Sequence, residues 1–171
     1  PANACLLHAV RENDYAAWLQ NQPPQIRGWL AATRFRAQPG AITWLPGEAN
    51  GTATLLAVNN ADTLHALADL PYRLPPADYR LAAPQSTTEL AVLGWGLGAY
   101  QFTRYKNATR QPARLVVPEH CNGIWLHDQL AAIYLVRDLI NIPESDMLPE
   151  QLAAAAQGLA QEFGASSRIT V

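Results

Sequence analysis

The chain has 171 residues, of which 49% are hydrophobic and 15% charged, and this charged share lies well below the value of about 25% usual for globular proteins. Such a composition excludes a disordered polar tail and predicts a packed core. With a net charge of −2 and two cysteines, the sequence gives no sign of a nucleic-acid-binding surface or a disulfide framework.

The first half of the chain alternates helical and strand-like segments. Asn13 and Asp14 precede a short amphipathic helix that Pro23 ends, because proline disrupts a helix interior. A second short helix follows. Turn dipeptides then bracket one strand, and a second, strongly apolar run is typical of a buried central strand. The predicted elements after the first helix are a helix over 26–35, strands over 41–45 and 52–58, and a helix over 63–70.

The second half is dominated by helices. Ser86, Thr87, Thr88 and Glu89 form a capping-box pattern, which predicts a helix from this point to about 105. The further predicted elements are a strand over 79–81, a strand or linker over 115–117, helices over 125–140 and 150–163, and a strand-like end over 169–171. The alternation predicts an α/β domain over 1–108. The strand-like end leads us to expect that the natural unit continues.

The string Gly94-Trp95-Gly96-Leu97-Gly98-Ala99 satisfies the G-x-G-x-x-A pattern of dinucleotide-binding turns. That interpretation requires a strand over 90–93 and would use Glu119 on a ribose. The competing interpretation places the glycines inside the helix that begins near Ser86, where Gly94 and Gly98 share one face and permit close packing. The capping box and the leucine spacing favour the helix.

Other residue types with reactive chemistry do not form a convincing site. His120-Cys121 and His127-Asp128 are the clustered metal-type pairs, but adjacent side chains do not readily point at one ion. The carboxylates Asp138, Glu144 and Asp146 are expected at helix ends or on solvated faces, and the five tryptophans are expected in packing. The sequence therefore predicts no catalytic, cofactor-binding or metal-binding residue in this chain.

Two stretches of the sequence resemble those of a known protein family. Residues 93–106 read LGWGLGAYQFTRYK, and residues 137–150 read RDLINIPESDMLPE. In this order the strings resemble the end of the N-terminal domain and the entry to the catalytic domain of leucyl aminopeptidases of the M17 family. The helix over 152–164 is similar to the one that follows in that family. The resemblance covers about residues 87–171.

The resemblance implies an α/β fold with a mixed, macro-domain-like sheet. It also implies a cytoplasmic, homohexameric metalloprotease, a hydrolase that removes N-terminal amino acids from peptides with two divalent metal ions, zinc or manganese. The family's metal-binding and catalytic strings, GKG-x-x-FDSGG and NTDAEGR, do not occur in this sequence. No catalytic or metal-binding residue can therefore be carried over, and the chain alone is expected to be inactive.

The predicted organisation is an N-terminal α/β domain over 1–108, a linker over 109–124, and a connecting helix with the start of a catalytic domain over 125–171. The predicted role is folding, assembly and access to the active site, with the rest of the catalytic domain and further copies of the parent protein as partners. No membrane or nucleic-acid partner is expected, and peptides are substrates of the parent alone. The alternative is a free-standing α/β module that binds a nucleotide or small ligand through Gly94–Gly98.

The helix over 125–140 and the segment over 150–171 are expected to expose apolar faces that the rest of the catalytic domain would cover. We therefore expect the 171-residue chain to self-associate. Trimming after about Lys106 is expected to give a better-behaved monomer.

Overall fold

The computed structural model describes residues 4–47, 54–59, 63–83 and 87–170. Five strands and six α-helices lie in these ranges, and a 3-10 turn over Glu12–Asp14 joins the first strand to the first helix. The strands are β1 (Cys5–Arg11), β2 (Ile42–Leu45), β3 (Thr54–Asn59), β4 (Asp78–Leu81) and β5 (Arg114–Leu115). The helices are α1 (Tyr15–Gln20), α2 (Pro24–Ala32), α3 (Leu70–Arg73), α4 (Glu89–Gly98), α5 (Gly123–Asn141) and α6 (Pro149–Glu162).

The strands form one sheet in the order β2-β3-β1-β4-β5. β1 pairs in parallel with β3 and β4, β4 pairs in parallel with β5, and β2 is the single antiparallel strand. This confirms the predicted α/β fold with a mixed sheet. Parallel neighbours require crossover connections, and helices supply them on both sides of the sheet.

Alternate residues of the strands point to two separate cores. On one face Leu7, Leu55 and Tyr79 pack with α3 and α4. On the other face Val10 and Leu56 pack with α1 and α2. Because successive strand residues point to opposite faces, the continuous apolar run of β3 serves both cores.

β1 is the central strand, and the sequence interpretation did not include it. Its residues, CLLHAVR, lack the alternation of a half-buried strand because a central parallel strand is covered on both faces. The predicted helix over 63–70 is also wrong. Residues 63–69 form successive turns closed by bonds such as Ala66 N–H to Thr63 O and Ala68 N–H to His65 O, and the helix α3 begins only at Leu70.

The remaining helices begin and end close to the predicted positions, except that α4 ends at Gly98 rather than near 105. Its cap is Thr88, whose side-chain oxygen accepts a hydrogen bond from Ala91 N–H. Ser86, the first residue of the predicted capping box, lies outside the described residues. Ile169 and Thr170 belong to no strand, and the last residue of that predicted segment, 171, is also outside the described part.

The chain divides into two compact units, Pro1–Leu130 and Ala131–Val171. The boundaries drawn from the sequence, 1–108, 109–124 and 125–171, stay a prediction of how the natural protein is divided. The structure adds that the segment 109–124 contains β5, which pairs with β4, and the buried residues Ala113 and Cys121. None of the described helices is both long and apolar enough to cross a membrane.

Candidate functional site

The glycine string lies in the helix α4, as the helical interpretation predicted. Residues 90–93 are helical and not part of the sheet. A Cβ on Gly94 would lie 1.7 Å from the carbonyl oxygen of Leu64, and one on Gly98 would lie 1.8 Å from that of Ala68. The glycines therefore allow α4 to pack directly on the backbone of the turns over 63–69.

This placement overturns the nucleotide-binding interpretation of the string. A phosphate-binding turn needs glycines between a strand and the first turn of a helix, whereas Gly94 is five residues into α4. Glu119 lies in a turn that follows β5. The residues match the sequence of the dinucleotide motif, but they lie inside a helix and not in the turn between a strand and a helix.

His120 and Cys121 lie in the turn just before α5 and have structural contacts. His120 Nε2 is 3.0 Å from the carbonyl oxygen of Thr87 and 3.5 Å from Cys121 Sγ. Burial, with a smaller contribution from the nearby charge of Glu89, raises the pKa of the Cys121 thiol. A reactive nucleophile needs a lowered pKa, so Cys121 is suited to packing.

His127 and Asp128 are exposed, and their side chains approach to 3.4 Å. Among the described residues no three His, Cys, Asp or Glu side chains converge as metal ligands. Asp138, Glu144 and Asp146 lie on the surface. The two divalent ions that the family resemblance implies therefore do not fit the residues described here.

The tryptophans are only partly in the core. Trp95 is buried, and its indole N–H donates to the carbonyl oxygen of Ala113 at 3.1 Å. Trp29 and Trp44 are instead nearly half exposed. The Trp29 indole N–H bonds to the carbonyl oxygen of Trp44 at 3.0 Å, which ties α2 to the edge strand β2.

The sequence did not reveal a cleft at the carboxyl ends of the parallel strands. Its volume is about 180 Å³. After β1 the chain continues to β2 and β3, which lie on one side of β1 in the sheet. After β4 it continues through α4 to β5, which lies on the opposite side. Adjacent parallel strands with such diverging connections leave a crevice in which α/β proteins commonly bind ligands.

The cleft has an apolar floor and a few polar groups. Leu7, Leu67, Leu81 and Ala91 are buried in its walls. Its polar lining includes His8, Arg11, Asp14, Trp18, Asn59 and Thr87. The six polar residues come from β1, the 3-10 turn, α1, β3 and the segment before α4. No local sequence motif could therefore have indicated them.

The second compact unit exposes many large apolar side chains. Ile140 of α5 and Phe163 after α6 are 75% and 74% exposed. The other exposed large apolar residues of this unit are Leu135, Val136, Leu148, Leu152, Leu159 and Ile169. Eight exposed large apolar side chains within 41 residues are more than scattered surface positions usually supply, and such clusters in the sequence are typical of surfaces that a partner covers.

A family model described as "M17 aminopeptidase, N-terminal domain" matches residues 5–118. The solved structure of cytosol aminopeptidase from Coxiella burnetii matches 96% of this chain at 30% sequence identity, with a TM-score of 0.82. The bottromycin maturation enzyme BotP matches 94% of the chain at 18% identity and a TM-score of 0.65, which shows likeness of fold alone. No curated protein sequence matches the chain.

The chain spans 37% of the length of the Coxiella protein and 38% of that of BotP. In both comparisons nearly all of this chain is matched by a minor part of a larger protein.

Proposed function

The chain belongs to the M17 aminopeptidase family, whose N-terminal domain it contains, and from this we propose that it is the structural and assembly part of a leucyl aminopeptidase. In this proposal the catalytic site lies in the remainder of the parent protein. The observation that carries the proposal is the match of 96% of this chain to 37% of a cytosol aminopeptidase.

The parent activity we propose is removal of N-terminal amino acids from peptides with two divalent metal ions, zinc or manganese. Paired ions lower the pKa of a bound water and polarise the scissile carbonyl. Because the described residues of this chain offer no group of three ligands, we assign both ions to the remaining part of the parent. This chain would contribute no step of the chemistry.

The assembly role rests on the second compact unit, Ala131–Val171. Its α6 has no buried residue, and apolar side chains such as Leu152 and Leu159 are exposed. Burying apolar surface contributes roughly 25 cal/mol per Å². We propose that the rest of the catalytic domain covers these side chains, and that the complete protein forms a homohexamer in the cytoplasm.

Co-expression tests this role. The tagged 171-residue chain and the polypeptide encoded after it in the same reading frame are produced in one host, and the tag is purified. We expect the two polypeptides to co-purify. Ile140→Asp combined with Leu152→Asp should abolish co-purification, because a buried unpaired charge is costly.

Gln161→Asp is the control, since Gln161 is an exposed polar residue of α6 and should leave co-purification intact. A reading frame that stops at residue 171, or a downstream polypeptide that folds and hydrolyses peptides without this chain, would contradict the proposal.

A further inference from the structure

Two oppositely charged side chains line the cleft at the carboxyl ends of the parallel strands. Arg11 is the last residue of β1, and Asp14 is the last residue of the 3-10 turn that follows it. Both side chains are about half exposed, so a molecule bound in the cleft can reach them. The cleft therefore offers a positive and a negative group side by side.

The two groups use only part of their hydrogen-bonding capacity on each other. Arg11 Nε donates to Asp14 Oδ2 at 2.5 Å. Among the described residues neither side chain has a further partner. A guanidinium carries five N–H donors, and a carboxylate accepts at both of its oxygens. The terminal nitrogens of Arg11 and the Oδ1 atom of Asp14 are therefore available to a ligand.

The accessible apolar surface of the cleft comes from small side chains and one aromatic ring. Ala9, Ala66 and Ala83 line the cleft and keep part of their surface exposed. The half-buried Trp18 ring forms one side and is fixed by its N–H bond to His8 Nδ1 at 3.3 Å. The cleft measures about 180 Å³, and a cavity of about 150 Å³ is large enough to bind benzene. An isobutyl group therefore fits.

A free α-amino acid matches this combination, because its ammonium and its carboxylate are bonded to the same carbon and lie side by side. We propose that the cleft binds a free α-amino acid with a small apolar side chain, with its carboxylate on Arg11 and its ammonium on Asp14. Guanidinium groups hold carboxylates through two parallel hydrogen bonds. The apolar side chain would lie against the alanines and the Trp18 ring. The proposal concerns the first compact unit alone and does not depend on the peptidase role.

Calorimetric titration of the 171-residue chain with three probes tests the proposal. Leucine carries both charges, leucine amide lacks the carboxylate, and 4-methylpentanoate lacks the ammonium. The titrations are made at about pH 6, where the amino groups are protonated, and at low salt, because salt screens exposed charges. We expect leucine to bind about fivefold more tightly than either analogue, which is the effect of one partly exposed ion pair.

Arg11→Gln removes the partner of the carboxylate. In this variant we expect leucine to bind no more tightly than leucine amide. Arg114→Gln is the matched control, because Arg114 is also exposed and paired with an aspartate, Asp78, but does not line the cleft. It should keep the preference for leucine.

Binding of none of the probes, or a preference for leucine over fewer than both analogues, would overturn the proposal, because at least one of the two charges would then make no contact. This comparison needs no variant, so it holds even if Arg11→Gln fails to fold. A preference for leucine over leucine amide that persists in Arg11→Gln would also overturn it, because the carboxylate would then bind elsewhere.

Discussion

Gly94 lies so close to the backbone of Leu64 that a Cβ at position 94 would be 1.7 Å from the Leu64 carbonyl oxygen. The same relationship repeats one helical turn later between Gly98 and Ala68. Residues 94 and 98 share a helix face because they are four positions apart. This double contact holds α4 against the turns over 63–69, directly beside the cleft.

Gly94→Ala should therefore destabilise the protein. Glycine in a helix interior is ordinarily worse than alanine by about 1 kcal/mol, but the clash here is with backbone, and overpacking costs about 1–3 kcal/mol. The clash should outweigh the helical gain, so we expect the free energy of unfolding to fall by up to about 2 kcal/mol in urea titrations.

Gly28→Ala in α2 is the control, because a Cβ there meets no atom within 4 Å. It should raise stability by up to about 1 kcal/mol. If Gly94→Ala were as stabilising as Gly28→Ala, the close contact between α4 and Leu64 would be wrong.

Tyr79 makes stability depend on pH in the alkaline range. Its side chain is fully buried, its hydroxyl donates to the Pro75 carbonyl oxygen, and burial, with a smaller effect of Cys5, raises its pKa to about 12. The phenol is neutral in both states below its unfolded pKa of about 10. As pH rises from about 10 to about 12, the unfolded chain releases its proton first, so this contribution, roughly 2–3 kcal/mol, is lost.

Tyr79→Phe tests this dependence. The variant should be about 1 kcal/mol less stable at pH 8, because the Pro75 carbonyl loses its partner, but it should lose less stability than the unmodified chain between pH 10 and 12. Urea titrations of both proteins across this range measure the difference. Parallel curves would show that Tyr79 does not titrate as described.

The position at which the chain is shortened should decide whether the product is a monomer or aggregates. A chain ending at Lys106 lacks β5 and the buried residues Ala113, Cys121 and Leu126, so we expect it to aggregate, contrary to the expectation drawn from the sequence. A chain of residues 1–130 keeps the whole first unit and loses the exposed apolar side chains of the second. Light scattering should show it as a monomer, and the 171-residue chain as larger species. A monomeric 1–106 chain would contradict the structural role of β5.

Strong local signals allowed much of the fold to be predicted. The apolar run of β3 and the long periodic helix α5 were predicted because loops rarely contain apolar runs or helical periodicity of this length. The capping pattern before Glu89 correctly placed Gly94 inside a helix, although the capping side chain is that of Thr88. The M17 resemblance rested on strings long enough to be specific.

Features that depend on distant contacts could not be predicted. β1 lacks the alternation of a half-buried strand, so its central position became visible only through its pairing with β3 and β4. The turns over 63–69 carry a helical pattern of apolar residues, yet they pack their carbonyl groups on the glycines of α4. The cleft is lined by Asn59, Trp18 and Leu81, which come from three separate segments. No local sequence pattern could predict that they lie close together.

The most direct test of the central claim is hydrolysis of leucine amide. The purified 171-residue chain and the product of the complete reading frame are assayed in parallel with zinc, manganese or magnesium, against controls with metal alone. We predict no turnover above the control for the 171-residue chain and metal-dependent turnover for the complete product, because the ligands of a two-metal centre would lie outside this chain. Turnover by the 171-residue chain that survives purification and scales with its concentration would contradict the account.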